Sequence, residues 1–127
     1  RLGPDRLAKT AAKFGFGQPT TTLLPGERGA TLPTPEWKKR TFKQPWQGGD
    51  TVIVGIGQGY MLATPMQLAV MTARLVNGGY SVSPRFVISE EVKGDGGAGS
   101  RLTIDPAHLQ IIRNGMDAVI NSSWGTA

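Results

Sequence analysis

The sequence predicts an α+β chain that is mostly helical, with about three longer helices, one short helix and a strand pair around residues 80–104. Three observations lead there. Apolar residues recur at helical spacing behind Pro-bearing start signals near residues 4, 65 and 106. A β-branched and aromatic run, Tyr80 to Val92, alternates in part and is broken by Pro84, as an edge strand or hairpin arm would be. Glycine makes up 18 of the 127 residues, against a typical share of about 7%, and it clusters between the periodic stretches, where turns belong.

Gly3-Pro4-Asp5 opens the first helix, which continues from Arg6 to Phe14. Leu7, Ala11 and Phe14 form its apolar stripe, with Lys9 and Lys13 on the solvent side, and Gly15-Phe16-Gly17 closes it. Residues 18–33 read as loop, with a tight turn at Leu23-Leu24-Pro25-Gly26-Glu27. Thr34-Pro35-Glu36-Trp37 starts a short helix. Asp50 to Val54 is an apolar run that leads into three alternating glycines, Gly55, Gly57 and Gly59. The central helix follows. Thr64 suits its N-cap, Pro65 its first turn, and Gln67 the partner position of a capping box. Its residues to Val76 are apolar nearly all round, which predicts a buried helix ended by Gly78-Gly79. Lys93 to Ser100 is a Gly-rich turn. Asp105-Pro106 starts the last helix, with the stripe Leu109, Ile112, Met116, Val119 and Ile120, and a polar tail runs from Asn121 to Ala127.

Composition narrows the chemistry. The absence of Cys excludes disulfides, thiolate nucleophiles and Cys-based metal sites. No apolar run approaches the ~20 residues of a membrane span, and no signal-peptide pattern is present. The first residue is Arg1 rather than Met, as expected for a piece of a longer protein. The net charge of +5 is uneven: residues 1–50 carry nine Lys/Arg against four Asp/Glu, and residues 51–127 carry five of each. The basic first part could favour an acidic partner or a membrane surface.

Four features invite a functional reading. The Gly55-Ile-Gly-Gln-Gly-Tyr turn before a helix suggests a phosphate cradle. Its third glycine is misplaced for a dinucleotide fingerprint, and no Gly-Lys-Ser/Thr follows, so a tight turn is the better reading. Trp37 to Trp46 interleaves four basic residues with aromatics, like a nucleic-acid surface or a non-catalytic interaction module. A loop pinned by Trp37, Phe42 and Trp46, with its Lys and Arg side chains solvated, explains it better, and no nucleic-acid partner is expected. His108 stands alone in the first turn of the last helix, without a second His or a nucleophile to serve, so neither a triad nor a metal is expected. Lys9-Thr10-Ala11 lacks the glycine of a Lys-Thr-Gly motif and lies in a predicted helix.

Longer matches carry a resemblance. Gly57-Gln-Gly-Tyr-Met-Leu-Ala-Thr-Pro-Met-Gln-Leu-Ala, preceded by Leu24-Pro25-Gly26-Glu27 and followed by Leu75-Val-Asn-Gly-Gly and Ser83-Pro84, resembles class B penicillin-binding proteins. Pro33-Thr-Pro-Glu-Trp-Lys, Lys43-Gln-Pro-Trp and Gly49-Asp-Thr-Val-Ile-Val-Gly resemble their elongation-type branch. The matches cover nearly the whole chain, in order. The resemblance implies a mostly helical fragment of the serine β-lactamase/penicillin-binding transpeptidase fold, in which an antiparallel sheet is flanked by helices.

It also implies an acyl-serine enzyme that crosslinks peptidoglycan stem peptides and is acylated by β-lactams, without cofactor or metal. The family's catalytic motifs are Ser-x-x-Lys, Ser-x-Asn and Lys-Ser/Thr-Gly. None occurs here: Ser81, Ser83, Ser89, Ser100, Ser122 and Ser123 have no Lys three residues on and no Asn two residues on. By family order residues 1–127 fall between the second and third motifs, so this chain alone is expected to be inactive. The resemblance further implies a parent at the periplasmic face of the inner membrane, working with membrane proteins of the elongation machinery. Where the neighbouring subfamily has Tyr-Gly-Tyr, this chain has Ile56-Gly57-Gln58, with Tyr60 adjacent. Ile56, Gln58 and Tyr60 either line the substrate groove or only shape the turn.

Overall fold

The computed structural model describes residues 2–20, 25–85 and 99–125. They contain five helices: α1 (Pro4–Lys13), α2 (Pro35–Phe42), α3 (Gly48–Gly55), α4 (Pro65–Val76) and α5 (Pro106–Asn121). The chain divides into two compact units, Arg1–Val70 and Met71–Ala127, with the boundary inside α4.

In the first unit, each helix is started by local chemistry. Gly3 takes a left-handed φ of 74° ahead of Pro4, and Asp5 lies in the first turn of α1, where a negative charge is favoured. Ala8 is the buried residue of this helix, while Leu7, Ala11 and Phe14 are half-buried. Lys9 is exposed and Lys13 half-buried, so the inward face is rotated by about one residue from the predicted stripe. Thr34 caps α2, its Oγ1 accepting from the Trp37 N–H at 3.1 Å. Replacing Thr34 with alanine should lower stability by about 1 kcal/mol, the usual worth of such a cap, which urea denaturation can read. Leu62 and Thr31 pair in an isolated antiparallel bridge just upstream of α4. The Leu23-Leu24 part of the predicted turn lies outside the described residues.

The start of α4 is built as the sequence predicts. Gln67 N–H donates to Thr64 Oγ1 at 3.1 Å, and Thr64 N–H donates to Gln67 Oε1 at 3.0 Å. The Gln67 amide does more than cap. Its Nε2 donates to the carbonyls of Gln18 and Gly29 at 2.9 and 2.8 Å, and the residue is fully buried. It thereby ties the helix start to Gln18 and Gly29, in the segment between α1 and α2.

α4 itself differs from expectation. Gln67, Val70 and Leu75 are buried, but Leu68 and Val76 are 47% and 49% exposed. The described elements cover one stripe of this helix rather than its whole circumference.

In the second unit, α4 ends as predicted, through Gly78 and Gly79 at φ of 90° and 86°. Gly79 N–H donates to Arg74 O at 2.9 Å. A side chain at Gly79 would also meet Leu109 Cδ1 at 2.9 Å, so glycine is required there twice over. The predicted strand pair is, among the described residues, a single antiparallel bridge between Tyr80 and Arg101. Residues 86–98, which include most of the predicted arm and turn, lie outside them. Asp105 caps α5, its Oδ1 accepting from the Ala107 N–H at 2.9 Å. The apolar stripe of α5 exists, yet only Leu109, 3% exposed, is buried. Ile112, Met116, Val119 and Ile120 remain exposed.

Candidate functional site

The site lies in the first unit and grows out of α3, a helix the sequence reading did not include. Its start combines two glycines with Asp50, whose Oδ2 accepts from the Gln47 N–H at 2.6 Å. Thr51, Val52, Ile53 and Val54 are β-branched, which by propensity favours a strand. What settles the helix is the cap at Asp50 and a partner twelve residues back. Lys38 Nζ reaches Asp50 Oδ2 at 2.6 Å, with the two side chains only 5% and 13% exposed. Trp46 Nε1 adds a bond to Thr51 Oγ1 at 2.8 Å.

The glycine turn leaves the far end of α3. Gly57 and Gly59 have φ of 74° and 72°, a region that glycine alone enters freely. The N–H groups of Gly57 and Gln58 donate to the carbonyls of Val54 and Ile53, each at 3.0 Å. The turn is therefore bonded to the last turn of the helix. Ile56 at the helix end is 72% exposed, and Gln58 is exposed. Tyr60 turns the other way. Its ring lies 5.5 Å from Trp37 and 5.1 Å from Phe42, with Trp37 and Phe42 in an edge contact at 5.6 Å. Lys38 Nζ stands 5.5 Å from the Tyr60 ring centre, within cation–π range. A cavity of about 340 Å³ opens beside Asp50, Ile53, Val54, Gly59 and Tyr60.

The predicted site residues thus separate. Ile56 and Gln58 form an outward lip, and Tyr60 is a half-buried member of an aromatic cluster. The basic-aromatic stretch 37–46 is also accounted for. Trp37 is committed to the cluster and Lys38 to the ion pair, which removes them from any free stacking surface. Sequence reasoning counted Lys38 among solvated cations and gave Asp50 no role. The available signal was the capping spacing of Gln47 and Asp50, three residues apart.

The hydrogen bond from Lys38, followed by that from Gln47, holds the Asp50 carboxyl below its ordinary value of 3.8. The sign of the consequence follows. On acidification the unfolded chain takes up this proton first, so the pair's contribution is complete above the ordinary carboxylate range. It is lost as pH falls through the lower folded value. The stability advantage of the native sequence over Asp50→Asn should therefore persist at neutral pH and vanish in acid, read by urea unfolding across about pH 2 to 6. A difference independent of pH would refute this.

No cluster of His, Cys, Asp and Glu among the described residues could hold a metal. No described helix is long and apolar enough to cross a membrane. An exposed lip at the end of a helix, a hydrogen-bonded turn and an adjoining cavity lie side by side here.

Comparison with known proteins gives the family. Residues 1–127 match the family model of the penicillin binding protein transpeptidase domain, and the chain belongs to that family. It is similar to the peptidoglycan D,D-transpeptidase MrdA of Haemophilus influenzae, with 39% identity over 136 aligned residues, covering 98% of this chain and 20% of that protein. MrdA of Escherichia coli K12 is 37% identical, covering 99% of this chain and 21% of the relative. The chain spans about a fifth of the length of these curated relatives. Among solved structures, PBP2 of Pseudomonas aeruginosa superposes with a TM-score of 0.88 at 41% identity, over 99% of this chain and 28% of that one. PBP2 of Helicobacter pylori in complex with MreC gives 0.87 at 35% identity, over 98% and 23%. The fold is that of a penicillin-binding transpeptidase, of which this chain is a mostly helical fragment.

Proposed function

We propose that residues 1–127 are the part of a peptidoglycan D,D-transpeptidase domain between its Ser-x-Asn and Lys-Ser/Thr-Gly motifs, and that the Gly55–Tyr60 turn walls its substrate groove. The whole protein would crosslink stem peptides in cell-wall elongation and determination of cell shape, and would be acylated by β-lactams on a serine this chain does not contain. It would act at the periplasmic face of the inner membrane, with elongation-machinery proteins as partners. The H. pylori relative solved with MreC supports such a partner.

One observation carries the site reading: Ile56 and Gln58 project from a turn that is hydrogen-bonded to α3 yet open to solvent. Ile56 and Gln58 would contact the stem peptide directly, and Tyr60 would back them from the aromatic cluster. In the full-length protein, Ile56→Asp with Gln58→Ala should raise KM for a stem-peptide substrate about tenfold while kcat changes little, the pattern of lost ground-state binding. An unchanged KM would dismiss the groove assignment. Fluorescent penicillin should label the full-length protein and leave the 127-residue chain unlabelled, because covalent catalysis needs the absent nucleophile. Covalent label on the isolated chain would overturn the proposal.

A further inference from the structure

Lys38 is a buried cation of the first unit, and its surroundings are specific. Its ammonium meets one carboxylate, Asp50 at 2.6 Å, and one aromatic face, Tyr60 at 5.5 Å. Asp50 lies in the first turn of α3, and Tyr60 closes the turn that leaves α3. The two ends of the α3–turn unit therefore converge on a single nitrogen.

We propose that the Lys38–Asp50 pair, with the Tyr60 ring above it, is a positioning device for the Gly57–Tyr60 turn, and that Lys38 is a positioning residue for peptide binding. This rests on the groove reading given above.

α3 has eight residues, well below the roughly 12–15 at which an isolated helix becomes marginal. Its direction comes from its tertiary contacts: the buried Val54, the Trp46–Thr51 bond and the groups that hold its two ends. Asp50 is fixed twice, by the Gln47 N–H and by Lys38. The far end carries the turn, bonded through the Gly57 and Gln58 N–H groups. Eight residues make a lever about 12 Å long, so a tilt of about 5° displaces the turn by about 1 Å. A displacement of that size is enough to spoil hydrogen-bond geometry to a peptide laid against the turn.

An ion pair also supplies what apolar packing does not. Replacing a buried pair with apolar residues of similar volume often leaves stability unchanged or improved. A charge-assisted hydrogen bond, however, has a preferred length and direction, whereas two methyl groups have neither. The pair is replaceable as a source of stability and not as a source of alignment.

The test uses the full-length protein carrying Lys38→Met with Asp50→Asn. This double variant removes both buried charges while Asn keeps an acceptor for the Gln47 N–H. The first readout needs no substrate: hydrogen exchange at the Gly57 and Gln58 amides should quicken about tenfold or more, with the amides of α5 unaffected. The second is kinetic: KM for a stem-peptide substrate should rise about tenfold with kcat changed less than about threefold, while the fraction labelled by fluorescent penicillin is retained. The single variant Lys38→Arg, which keeps the charge and a donor, should restore most of the KM. Unchanged exchange at Gly57 and Gln58 would overturn the positioning proposal itself. Faster exchange with unchanged KM would overturn the groove reading beneath it. A general loss of penicillin labelling and faster exchange throughout both units would make the pair a stability element and also overturn the proposal.

Discussion

Replacing Gln67 with leucine is expected to destabilise the first unit by about 3–5 kcal/mol, at the upper end of single-residue effects. Leucine is branched and somewhat larger than glutamine, so mild overpacking adds to the loss of hydrogen bonds. The substitution strands three backbone groups, the carbonyls of Gln18 and Gly29 and the Thr64 N–H. Each buried polar group left unpaired costs about 1–3 kcal/mol. Gln67→Glu separates this explanation from a simple need for polarity. Glutamate retains the acceptor for Thr64 but turns lone pairs toward two carbonyl oxygens. It should be at least as damaging as leucine at neutral pH and should recover in part as the carboxyl protonates. Urea denaturation read at neutral and mildly acid pH checks both. A Gln67→Glu variant of native stability at neutral pH would refute the donor assignment.

The second large effect is expected at Gly59. Both turn glycines have positive φ, but their surroundings differ. A Cβ at Gly57 meets nothing within 4 Å, whereas one at Gly59 would lie 2.8 Å from Ile53 Cγ2. Ile53 is β-branched and sits in a helix, where χ1 freedom is small, so the overlap is not relieved by a rotamer change. Gly57→Ala should cost about 1–2 kcal/mol, the left-handed penalty alone. Gly59→Ala should cost about 2–4 kcal/mol, since overpacking adds to that penalty. Thermal denaturation of the two variants gives the comparison, and Ile53→Ala should return part of the loss in the Gly59 variant only. Equal losses at the two positions would show that Ile53 does not contribute.

The two α4 termini and the α5 start were legible because their chemistry is local. Thr64 with Gln67, Gly78-Gly79, and Asp105-Pro106 each act on backbone groups within a few residues. The α3 helix was not legible, because its local signals conflict. Two starting glycines and four successive β-branched residues argue against helix, and only the capping spacing of Gln47 with Asp50 argues for it. Of the candidate site, the turn could be located from the glycine spacing, and Ile56 and Gln58 were singled out by the family resemblance. The inward direction of Tyr60 could not, since it depends on Trp37 and Phe42 arriving from another helix.

Sequence alone determined the family, the caps, the order of helices other than α3 and the absence of the catalytic serine motifs, because each of these is carried by residues close together in the chain. Tertiary structure decided which polar residues were structural. Lys38 became a buried partner of Asp50 rather than a solvated cation, and Gln67 became a tie across 38 and 49 residues as well as a cap. It also decided that the α5 stripe stays open beyond Leu109. The physical reason is common to all three. Burial and pairing are set by what else the fold brings within a few ångströms, and no spacing along the chain encodes that distance.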